Sequence, residues 1–138
     1  MTTDDLYRFI GAHDLAVLAT TSPADTPECA LVGIAVTPGL EVIFDTLNTS
    51  RKYRNMIHRP SVAFVIGWEN EITLQYEGEA REPSGAELER LQQVYLAKWP
   101  ACREHLKWPG IAYFVVQPKW IRYSDFNEES RAMVEMTF

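Results

Sequence analysis

The stretch Glu71-Ile72-Thr73-Leu74-Gln75-Tyr76-Glu77-Gly78-Glu79-Ala80-Arg81 alternates without a break. Ile72, Leu74, Tyr76, Gly78 and Ala80 share one face, and Thr73, Gln75, Glu77, Glu79 and Arg81 share the other. A period of two over this length belongs to a strand packed on one side and open to solvent or ligand on the other. Just upstream, Ser61–Trp68 reads as a strand apolar on both faces. Farther back, Leu15–Thr21 and Glu28–Val36 read as strands flanking the turn-forming run Ser22-Pro23-Ala24-Asp25-Thr26-Pro27. Thr37-Pro38-Gly39-Leu40 closes a hairpin onto Glu41–Thr46. Downstream, Ile111–Gln117 and Lys119–Ser124 read as two further strands.

The helical patterns lie outside this series. Residues 3–13 form an amphipathic helix with Thr3 as N-cap and Asp4-Asp5 in the first turn. Residues 50–59 read as a second helix, ended by Pro60. Ser84-Gly85-Ala86-Glu87 reads as a capping box, opening a third helix with Leu88, Leu91, Tyr95 and Trp99 on one stripe. The tail from Asn127 carries no assignable pattern. Strands joined by short turns, no βαβ rhythm and no G-x-G-x-x-G argue against a Rossmann sheet. They imply a mainly β fold, an antiparallel barrel with flanking helices, in a single domain over residues 1–138.

Composition narrows the function. The net charge of −6 over 138 residues opposes a broad nucleic-acid footprint, so an anionic partner must be small and held locally. No apolar run is long enough to span a bilayer, and the acidic start Met1-Thr2-Thr3-Asp4-Asp5 is unlike a signal peptide. Two cysteines, Cys29 and Cys102, in no C-x-x-C arrangement, fit reduced thiols in a cytoplasmic protein. His13, His58 and His105 are scattered without metal-ligand spacing, so no metal site is expected. Cys29 is expected as a packed thiol, and Asp25 and Glu28 as solvated groups beside a turn.

One cluster stands out. Arg51, Lys52, Arg54, His58 and Arg59 fall within nine residues, without an acidic residue among them. Tyr53, Met56 and Ile57 are spaced to face the core, which turns the basic groups outward. With Ser50 as N-cap, Arg51 and Lys52 occupy the first turn, where the helix already presents positive partial charge and unpaired N–H groups. Cations there are unfavourable unless an anion sits in front, and a phosphate supplies one. The plainer reading is a solvated basic face.

The run Phe44-Asp45-Thr46-Leu47-Asn48-Thr49-Ser50-Arg51-Lys52 resembles the pyridoxamine 5'-phosphate oxidase-like family of FMN-binding split β-barrels. Asn55-Met56, Pro60-x-Val62, Glu77-Gly78 and Pro118-Lys119-Trp120-Ile121-Arg122-Tyr123 agree in order and spacing over roughly residues 10–125. The resemblance implies a Greek-key split barrel, FMN or a related deazaflavin as cofactor, and a homodimer with the cofactor at the interface. It implies that Thr46 hydrogen-bonds the cofactor, that Ser50, Arg51 and Lys52 hold its phosphate, and that Ala30–Ala35, Val32 among them, run along the isoalloxazine ring. Asp45 stands where the oxidase has an aromatic residue, and Thr73 where it has glutamine. Ala30 and Ala35 replace an arginine and a lysine. After Tyr123 the chain reads Ser124-Asp125-Phe126-Asn127, without the Arg/His-rich segment that binds substrate in the oxidase. A flavin-dependent oxidoreductase acting on a small redox substrate is therefore expected, one that is not an efficient pyridoxamine phosphate oxidase. The alternatives are a carrier of flavin, deazaflavin or haem with the same fold, and an anion-binding domain without flavin. Trp108 and Trp120 are candidate pocket walls.

Overall fold

In the computed structural model the alternating stretch is strand β6 (Ile72–Arg81), with Leu74, Tyr76, Gly78 and Ala80 buried. The structure describes residues 1–127, 129 and 131–138. Strand β6 lies at the centre of one curled antiparallel sheet ordered β2-β1-β5-β6-β7-β4-β3, built from β1 (Leu15–Thr21), β2 (Pro27–Gly33), β3 (Ala35–Val36), β4 (Val42–Leu47), β5 (Ser61–Ile66) and β7 (Ile111–Asp125). β8 (Met133–Thr137) pairs with the distal half of β7. The sheet wraps a core that includes Phe44, Phe64, Tyr76 and Phe114, with Phe64 edge-on to both Phe44 and Tyr76. The mainly β fold with flanking helices expected from the sequence is the fold observed.

Three helices cover the sheet's ends: α1 (Thr3–Gly11), α2 (Arg51–His58) and α3 (Gly85–Lys98). The N-cap of α1 is Thr2, one residue earlier than expected, because Thr2 and Asp5 close a reciprocal capping box. The box expected at Ser84 does not form: Ser84 makes no side-chain cap bond, and Glu87 is drawn to Arg81 at 2.5 Å. A 3₁₀ segment, Pro100–Lys107, follows α3 and had no counterpart in the sequence reading.

Two strand boundaries differ for identifiable reasons. The second strand breaks at Ile34, whose N–H donates to the Asp14 carbonyl, so Ala35-Val36 pairs with β4 instead of β1. The two C-terminal strands are one continuous β7, because Pro118 sits at a bulge where its missing N–H is tolerated. Opposite that bulge, Gly78 faces Pro118. A Cβ on Gly78 would overlap the Gln117 carbonyl oxygen and reach 2.8 Å from Val116. Gly78→Ala should therefore destabilise the protein by about 1–3 kcal/mol, since both obstacles are held in the sheet. Chemical denaturation checks this, and an unchanged midpoint would contradict it.

Strand β5 alternates instead of burying both faces: Val62, Phe64 and Ile66 point inward, while Val65 is exposed and Ala63 partly so. The register aligns Val65 with Val17 and Gln75, and Ala63 with Ala19 and Glu77. Leu31 and Cys29 extend the same face through β1. This outer surface is apolar at its centre, and Cys29 is exposed on it rather than packed. No helix of the described residues is long and apolar enough to cross a membrane.

Candidate functional site

The basic cluster forms α2, capped as expected by Ser50, whose Oγ accepts the Tyr53 N–H at 3.2 Å. The helix face differs from expectation at one residue. Asn55 is buried and Ile57 is half-exposed, because Asn55 has polar partners inside: its amide donates to Thr20 Oγ1 at 2.9 Å and Glu28 Oε1 at 2.8 Å.

Just before the cap, β4 ends with Asp45 and Thr46. The Thr46 and Ser50 hydroxyls lie 2.9 Å apart, so strand end and helix cap are joined directly. The intervening turn is braced by Gly110, whose carbonyl accepts the Asn48 N–H at 2.7 Å. Gly110 has φ +80°, and a Cβ there would come 2.5 Å from Asn48 Oδ1, so glycine is required.

A hollow of about 360 Å³ opens beside this junction, walled by Val32, Gly33, Asp45, Thr46, Ser50, Lys52, His105 and Trp108. A second, of about 330 Å³, lies between Glu28, Cys29 and Ala30 of β2 and Arg51 and Lys52 of α2. Lys52 borders both, so together they make a groove whose middle carries a cation at a helix N-terminus. Each is in the range of small-molecule sites, about 300–1,000 Å³. β2, which runs along the groove, is an edge strand of the sheet, and one rim of its backbone has no strand partner among the described residues. A larger hollow of about 410 Å³ at Thr21, Ser61, Glu77, Glu79 and Lys119 combines two carboxylates with one cation, so it is poorly suited to an anion.

The two cations of the first turn are not equivalent. Arg51 forms a double contact with Glu28, one bond being Nε to Oε1 at 3.0 Å. Glu28 is thus largely covered rather than solvated. The hydrogen bond from Arg51, with a second from Asn55, holds its carboxyl below the usual carboxylate range. Asp25 pairs with Arg59 at 2.8 Å. Lys52 has no ion-pair partner among the described residues. The structure thus brings Val32, Asp45, Thr46, Ser50 and Lys52 to one hollow and places Arg51 at the neighbouring one. Thr73 stands apart, on β6 opposite Ser124.

Sequence reasoning gave no role to His105. Its Nδ1 lies 2.6 Å from Asp45 Oδ2, and its ring stacks on Trp108 with centroids 4.1 Å apart. Asp45 also accepts from the Tyr95 hydroxyl at 3.4 Å. Trp108 is therefore a wall of the hollow, whereas Trp120 lies on the outer face of the sheet, with the Arg122 guanidinium 5.3 Å from its ring centroid. Asp45 and His105 are 60 residues apart on a strand and a 3₁₀ segment, so no spacing rule connects them.

The family profile described as pyridoxamine 5'-phosphate oxidase matches residues 2–125. No curated protein sequence matches. Among solved structures, a heme binding protein from Mycobacterium smegmatis superposes with a TM-score of 0.85 at 19% identity, over 99% of this chain and 58% of that one. General Stress Protein 26 from Bacillus anthracis gives 0.69 at 18% identity, over 97% and 98%. HutZ, the heme storage protein from Vibrio cholerae, gives 0.73 at 14% identity, over 84% and 89%. These likenesses establish a shared fold. The chain spans little more than half the length of the mycobacterial protein.

Proposed function

This chain belongs to the pyridoxamine 5'-phosphate oxidase family, and from that premise we propose that it binds FMN in the Lys52 groove and serves as a flavin-dependent oxidoreductase in the cytoplasm. The observation that carries the proposal is Lys52, a cation without an acidic partner among the described residues, beside Thr46, Ser50 and the open N–H groups of a helix start. Such a place is unfavourable until an anion fills it. Ser50 and Lys52 would hold the phosphate, with Arg51 contributing as far as Glu28 releases it. Val32 and Gly33 would flank the flavin ring, and the outer backbone rim of β2 would offer hydrogen bonds to the ring's polar edge. Trp108 and His105 close the far end and exclude water. FMN, when bound, supplies the redox chemistry, and the protein supplies position and electrostatics. A deazaflavin with a phosphate at the same place would use the same grip. The reading is tested by the flavin content of purified protein and its bleaching by a reduced nicotinamide under anaerobic conditions.

Haem is the second reading, and His105 is what favours it. A histidine that holds a carboxylate on one ring nitrogen is oriented as metal-bound histidines are. A haem-loaded protein would show a Soret band that His105→Ala removes.

Thr73 lies away from the groove, so in this proposal it reaches a cofactor only from a second copy. The exposed apolar face around Leu31, Val65, Ala19 and Ala63 offers the contact surface. Sedimentation at micromolar concentration should give a dimer, more stable with FMN than without, because the ligand binds the assembled state. Leu31→Glu, which charges a side chain 60% exposed in the single chain, should shift it toward monomer. A wild-type monomer that holds flavin tightly would refute the arrangement.

A further inference from the structure

We propose that Asp45, Cys102 and His105 form a binding site for a single zinc-type divalent ion, which ties the 3₁₀ segment to β4. The ligand atoms of these three side chains all lie within 4.8 Å of one another, and all three residues are partly buried. One carboxylate, one thiol and one imidazole are the donor types such an ion takes, and three protein ligands leave a fourth position open. Asp45 and His105 border the hollow, so that position faces it.

A second observation points to a missing ligand. Tyr113, the cross-strand partner of Asp45, is 3% exposed, and its hydroxyl is fully buried without a hydrogen-bond partner among the described residues. Its ring stands edge-on to Tyr95, with centroids 5.8 Å apart. An orphaned buried hydroxyl is costly, and an ion-bound water or the ion itself would satisfy it. A metal ion takes the Cys102 sulfur as the thiolate. On binding, the thiol proton passes to solvent while His105 and Asp45 turn lone pairs to the ion, and no electron is transferred. Three converging side chains suit a bare ion better than a porphyrin iron, whose equatorial positions are already filled.

Cobalt(II) added to the full-length, flavin-free and metal-free protein tests the site. The expected result is one equivalent bound, with a thiolate-to-cobalt charge-transfer band and the visible bands of tetrahedral cobalt. Zinc should then displace it and raise the melting temperature. Cys102→Ser and His105→Ala should each weaken binding by roughly 10–100-fold, a loss that even changes to groups hydrogen-bonded to a metal ligand can reach. Tyr113→Phe should weaken it several-fold while raising the metal-free melting temperature, since the unpaired hydroxyl is gone. Cys29→Ser, on the outer face, should bind as wild type does. A wild-type protein without the thiolate–cobalt band overturns the proposal, as does a band that survives Cys102→Ser. Because flavin is absent throughout, the outcome is independent of the FMN reading.

Discussion

FMN-saturated protein supplied with pyridoxamine 5'-phosphate should make hydrogen peroxide far more slowly than one turnover per second, the lower part of the ordinary enzyme range of about 1–1,000 per second. The substrate is itself a phosphate ester, so a second anion site is needed beside the flavin. Four of the basic side chains that follow α3 are engaged or placed elsewhere. Arg122 is held by Glu135, and Lys107 lies 3.6 Å from Glu104. Lys119 faces the outer hollow beside Glu77 and Glu79. His105 is engaged by Asp45. On α2, Arg59 is paired with Asp25, and the groove's own Lys52 goes to the cofactor. A phosphate bound without charged partners loses about 1.5–3 kcal/mol per missing hydrogen bond. Two such losses lower specificity by roughly 100- to 10,000-fold at about 1.4 kcal/mol per tenfold. Peroxide release at or above one per second would mean that another basic group completes the site.

The second large effect is expected at Lys52. Replacing it with alanine should weaken FMN binding by about 1.5–3 kcal/mol, the worth of a charge-assisted hydrogen bond. Riboflavin, which lacks the phosphate, should bind both proteins with nearly the same weak affinity. Arg51→Ala should cost less, because Glu28 already engages that guanidinium and would otherwise have to be displaced. The loss on removing Arg51 belongs partly to Glu28, which is left without its charged partner. Fluorescence titration of both ligands against the three proteins gives the comparison. Equal losses for FMN and riboflavin would place the phosphate elsewhere.

How far the sequence speaks depends on the range of each interaction. The alternation of β6 and the turn-rich links between strands are local, and they lead to the observed sheet. The helix cap at Ser50 is local as well, and Thr46, Ser50 and Lys52 line one hollow. What escaped was non-local. Asn55 turns inward only because Thr20 and Glu28, more than 25 residues away, supply its partners. Glu28, expected to be solvated, is recruited by Arg51 from 23 residues away. The Asp45–His105 pair depends on a 3₁₀ segment with no strong periodicity, which brings together a strand and a loop far apart in the chain. Its only sequence signal was the departure at Asp45 itself, a carboxylate where the oxidases carry an aromatic ring. The continuity of β7 through Pro118 was hidden because proline ordinarily interrupts a strand, and only the partner Gly78 shows why it does not here.

The central claim is that an FMN phosphate sits at Ser50 and Lys52, and the cofactor itself tests it most directly. Protein purified without added flavin, denatured and examined by mass spectrometry, should release FMN, close to one per chain when saturated. The same chain carrying Lys52→Ala should retain markedly less. Release of haem with no flavin, or no flavin together with failure to take up added FMN, would contradict the account.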